Sequence, residues 1–139
     1  MGRNKRIFYG LVTLGLLLLA PLAGSQPEPP NTEGSTSVQS MADEMVRRGE
    51  KMVRHGSEGH TEEIVDYGKE MVAQTQEVLG KVQKERGPKH PAIAHIRKAL
   101  QSTRLAIKRG EDGNLSLALQ AAREAVHHAR LGRDALSPP

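Results

Sequence analysis

Six histidines, at positions 55, 60, 90, 95, 127 and 128, carry most of the chemistry open to this 139-residue chain. Imidazole is the commonest protein ligand for metal ions and suits Cu(II), Ni(II) and Zn(II). The tightest grouping is His55 and His60, separated by Gly56, Ser57, Glu58 and Gly59. Two glycines let the chain reverse, so that both imidazoles and the Glu58 carboxylate can converge on one ion. Two histidines and one carboxylate leave positions for water or an outside ligand. The same residues also admit a structural role, with His60 capping the helix that follows and His55 interacting with the end of the helix before.

Catalysis has no comparable signal. The chain lacks cysteine, and it contains no Gly-x-Ser-x-Gly elbow, no P-loop and no His-Glu-x-x-His pair. No enzymatic activity is expected. Glu124 and His127 form one Glu-x-x-His, but carboxylate di-iron bundles need two, plus a glutamate from each remaining helix. Met41, Met45, Met52 and Met71 offer thioethers of the kind that select Cu(I). Their helical spacing places them instead on a buried stripe, as gap-fillers in a core poor in aromatics. Tyr67 is expected at the edge of that core with its hydroxyl in water.

The elements that must hold these residues follow from charge and hydropathy. Arg3, Lys5 and Arg6 precede an uncharged run of 18 residues, positions 7 to 24, that ends among Ala20, Ala23, Gly24 and Ser25. That is the shape of a secretory signal peptide over residues 1–24, directing the chain to export. The run is also long enough for an uncleaved inner-membrane anchor, so the membrane is a partner only through this leader. Without the leader the chain keeps 17 basic against 16 acidic groups, which leaves no charge for nucleic acid as a partner. Residues 25–37, rich in Pro, Ser, Thr and Gly, read as a flexible linker.

From 38 onward, apolar and small residues recur every three or four positions, the period of helices. The spacing predicts a helix over 38–55, striped by Val38, Ala42, Met45, Gly49 and Met52 and stopped by Gly56 and Gly59. A second, over 61–85, carries Ile64, Gly68, Met71, Thr75, Val78 and Val82 and stops at Gly87 and Pro88. A third begins at Pro91 with Ile93, Ile96, Leu100, Thr103 and Ile107 inward. A fourth follows Asn114 and runs to 136, with Leu115, Leu119, Ala122, Val126 and Ala129 inward. Short connections then imply an all-α fold, an antiparallel up-down-up-down four-helix bundle over 38–136 with a tail at 137–139.

A shift of 54 residues lays the loop from Arg54 to His60 over that from Lys108 to Asn114, and Lys69, Glu70 and Val72 over Arg123, Glu124 and Val126. The bundle is therefore expected to consist of two repeated helical hairpins. His55 pairs with Arg109 and His60 with Asn114, so only the first loop carries histidine. His95 lies 14 residues before Arg109 and His128 lies 14 after Asn114. On antiparallel helices this sets His95 level with His127 and His128, about 21 Å from the loop at 1.5 Å per residue. Those three form a lesser candidate metal site, or three solvated side chains. His90, just before Pro91, is placed to cap the third helix.

The leader, the repeated hairpins and the loop from His55 to His60, followed by Thr61, Glu62, Glu63, Ile64, Val65, Asp66 and Tyr67, together resemble the small metal-binding protein family of the bacterial periplasm. The resemblance spans roughly residues 41–130. It implies a His-rich bundle that binds and buffers divalent or trivalent metals, copper prominently, without enzymatic activity. Tyr67, Gln74, Ser102, Arg109 and Asn114 stand where that pattern implies histidine, whereas His55, His60 and His128 fit it. The resemblance thus implies one or two sites rather than many, with Cu(II) first and Ni(II) or Zn(II) as competitors. The alternative is a metal-independent bundle that binds protein partners in the cell envelope.

Overall fold

A computed structural model describes residues 37–137. The leader expected at 1–24, all of the linker at 25–37 except Ser37, and the last two residues of the tail lie outside the described residues. Four helices form nearly all of that segment: α1 (Val38–Ser57), α2 (Thr61–Arg86), α3 (Ala92–Glu111) and α4 (Leu115–Asp134).

Short polar side chains start three of them by supplying acceptors to amides that have no partner inside the helix. The Ser37 hydroxyl accepts from the Ser40 N–H at 3.1 Å, Asn114 Oδ1 from Leu117 at 3.1 Å, and His90 Nδ1 from Ala92 at 3.3 Å. Pro91 precedes α3 rather than opening it, although its φ of −60° is already helical. Gly56 does not stop α1, as the spacing suggested. It is buried inside the helix, and the reversal falls to Gly59 at φ 96°, a conformation that glycine alone adopts without strain. The fourth helix likewise ends at Asp134, short of 136.

The helices pack as a four-membered ring, α1 on α2, α2 on α3, α3 on α4 and α4 on α1, with α2 also touching α4 across the middle. Met41 meets Gln74, Arg48 meets Glu70 and His55 meets Glu63, so contacts advance along α1 while they retreat along α2. On the other side of α1, Asp43 faces Arg133, Glu50 faces Arg130 and Gly56 faces Leu119 in the same reversed order.

Met41, Met45, Met52 and Met71 are all buried, as their spacing predicts. Elsewhere the core is smaller than the sequence suggests. Ala99 and Ala106 face the centre from α3, and Ala118, Ala121, Ala122, Ala125 and Ala129 from α4, while Leu100, Ile107, Leu115 and Leu119 are only half-buried. Close approach of the helices explains the change. A methyl group placed on Gly68 would come within 2.7 Å of Ile107, and one on Gly56 within 3.1 Å of Leu119. Those large side chains therefore lie along the seams, over glycines. The two buried hydroxyls are satisfied locally, Thr75 donating to Met71 O at 2.6 Å and Thr103 to Ala99 O at 2.7 Å.

Candidate metal centre

Three residues, Glu58, Gly59 and His60, connect α1 to α2, so the last turn of one helix faces the first turn of the next. His55 occupies the former and Glu63 the latter. His55 Nδ1 lies 2.6 Å from Glu63 Oε2 and 3.3 Å from Glu58 Oε2, while His60 Nδ1 lies 3.5 Å from Glu63 Oε1. Glu63 thus stands between the two imidazoles, whose ring centres are 6.4 Å apart. Tyr67, one turn further along α2, stacks on His55 at 5.0 Å with 14° between the planes and fixes the orientation of that ring. The Lys51 ammonium lies 5.8 Å from the centre of the Tyr67 ring, a cation–π distance.

Glu63 is the residue that sequence reasoning missed. Acidic residues are ordinary in the first turn of a helix, where they oppose its dipole, but its place one turn after His60 was a readable signal. Glu63 Oε2 is buried against His55 Nδ1, 2.6 Å away. A carboxylate oxygen and the lone pair of a neutral imidazole repel at such a distance unless a proton or a metal ion lies between them. His60, the residue preceding α2, makes no side-chain capping bond, in contrast to Asn114 at the start of α4. Its imidazole is therefore not engaged as the alternative reading required.

Glu58, His60, Glu62 and Glu63 border an open hollow of about 440 Å³. Among the described residues, no three acidic or histidine side chains are already set in ligating positions. Ligand bonds of ~2.0–2.2 Å require Glu58 and His60 to swing inward. Both are about half exposed, at 51% and 54%, and can do so without disturbing the core.

At the level predicted from helix rise, the structure brings His95 and His128 together, with ring centres 6.0 Å apart and planes 26° from parallel. Nδ1 of each is buried without a hydrogen-bond partner. His128 borders a hollow of about 280 Å³ between α3 and α4, together with Lys98 and Glu124. Burial lowers the pKa of His128, and the charges of Lys98, His127 and His95 add to that shift while Glu124 opposes it. His127 is 5.3 Å from His128 between ring centres but borders the opposite groove, between α1 and α4. His90 caps α3 and belongs to neither group.

A family model described as small metal-binding protein matches residues 32–132. The curated proteins contain no match to the chain.

Proposed function

The chain belongs to the small metal-binding protein family, and from that premise we propose that its bundle binds and buffers transition-metal ions after export to the periplasm through residues 1–24. Cu(II) is the first cargo, with Ni(II) and Zn(II) as competitors, because the donors are imidazole and carboxylate with no thiolate among them. His55 and His60, with Glu58 and Glu63, form the principal site. The observation that carries this reading is the convergence of His55, Glu58, His60 and Glu63 on one loop, with Glu63 2.6 Å from His55 Nδ1 and 3.5 Å from His60 Nδ1. His95 and His128 form a lesser site, from which His127 turns away into the opposite groove. Binding rather than turnover is the proposed role, in keeping with the description of the family as metal-binding proteins.

Calorimetric titration of Cu(II) into the chain from Ser25, without an affinity tag, tests the proposal. One or two saturable events per chain are expected, the tighter one disappearing in the His55→Ala/His60→Ala double variant. Binding should weaken in acid, because protons compete with the metal for the imidazole nitrogens. Affinity no better than that of a scrambled peptide with the same six histidines would instead favour the metal-independent envelope module.

A further inference from the structure

The groove between α1 and α4 has a volume of about 350 Å³, a size that accommodates a small ligand. Arg54 borders it from α1, and Arg123, His127 and Arg130 from α4, with Val53 and Val126 supplying apolar surface. Its single acid, Glu50, is paired with Arg130 at 2.7 Å. Among the described residues, neither Arg54 nor Arg123 has an acidic partner. The nearest polar contact of Arg54 is His55 Nε2, 3.5 Å away.

The opposite seam of the ring, between α2 and α3, shows what is missing. Fifty-four positions along from Arg54 stands Lys108, held 3.4 Å from Asp112. Lys69, the counterpart of Arg123, is held 3.8 Å from Glu111. The counterpart of Glu111 is Ser57, whose hydroxyl donates to Val53 O at 2.8 Å. The counterpart of Asp112 is Glu58, which faces His55 at 3.3 Å. Two cations that are matched by acids in one groove are unmatched in the other, and both are arginine rather than lysine. A guanidinium presents a planar fork that binds carboxylate through two parallel hydrogen bonds, which an ammonium cannot do.

We propose that the α1/α4 groove binds a small organic dianion, two carboxylates on a short carbon skeleton, with Arg54 and Arg123 receiving the carboxylates and the two valines packing against the carbon atoms. The apolar surface distinguishes such a ligand from inorganic phosphate. The proposed donors, Arg54 and Arg123, are not among the proposed metal ligands, so the two readings can fail separately.

The test is titration of the metal-free full chain with succinate, citrate and inorganic phosphate, followed by amide NMR shifts in about 0.15 M salt, where charges beyond ~8 Å are screened. Saturable shifts centred on Arg54, Arg123 and Val126 are expected with succinate or citrate. Affinity should fall about tenfold or more in Arg54→Gln/Arg123→Gln and stay unchanged in Lys69→Gln/Lys108→Gln. All four side chains are exposed, so the helix content of both variants should match the parent by circular dichroism. Failure to saturate, equal losses in the two double variants, or tighter binding of phosphate than of either carboxylate would each overturn the proposal.

Discussion

Replacing Glu63 by Gln removes the charge that faces His55 at 2.6 Å while keeping the shape of the side chain. Cu(II) affinity at the loop should fall by about ten- to a hundredfold, the range seen when groups that orient or support a ligand are removed. Glu62→Gln, on the exposed side of the same turn, should change it little, and calorimetry on the pair separates a donor from general negative charge. At the other end of the bundle, partial burial and the neighbouring charges of Lys98, His127 and His95 make His128 resist protonation. Its pKa is lower folded than unfolded, so the unfolded chain takes up the proton first as pH falls. The stability associated with neutral His128 is present above ~6.5 and is lost as pH drops from there toward the folded value. Urea melts of His128→Gln should therefore show a shallower loss of stability over that interval than the parent. His55, Glu58 and His60 were legible because sequence neighbours in a tight reversal are also spatial neighbours. The divergence of His127 from His128 follows from the ~100° between successive helical side chains, a turn that carries one of them to each groove.

Glycine tests the packing of α2, because the helix holds two that differ only in their surroundings. A methyl at Gly68 would meet Ile107 at 2.7 Å, whereas one at Gly80 meets nothing within 4 Å. Gly80→Ala should stabilise the protein by about 0.5–1 kcal/mol through backbone entropy. Gly68→Ala should destabilise it by about 1–3 kcal/mol through overpacking, and thermal melts of the two variants should shift in opposite directions. The same packing explains where the sequence misled. Helical periodicity located all four elements within a few residues, but a stripe drawn through the largest apolar side chains points α3 and α4 slightly wrong. Helices that meet across Ala and Gly come close enough to leave Leu100 and Leu119 at the seam, a choice that depends on the opposing helix and not on local pattern.

Across the whole molecule, the proposed loop site ties the end of α1 to the start of α2. A metal held there opposes separation of those helices, and an ion at a hundred times its dissociation constant should stabilise the fold by about 2.7 kcal/mol if the unfolded chain does not bind it. Denaturant midpoints with and without Cu(II) measure this directly, and the increment should vanish in His55→Ala/His60→Ala. The core that makes such close packing possible contains no tryptophan. Of the two tyrosines in the sequence, Tyr9 belongs to the segment expected to be cleaved, and Tyr67 lies flat against the His55 imidazole. The chain from Ser25 therefore has a single intrinsic fluorophore, and it is in contact with the proposed ligand. Paramagnetic Cu(II) on that ring should quench the emission, whereas Zn(II) with its filled d shell should leave most of it, so occupancy and metal identity become optically readable without any label.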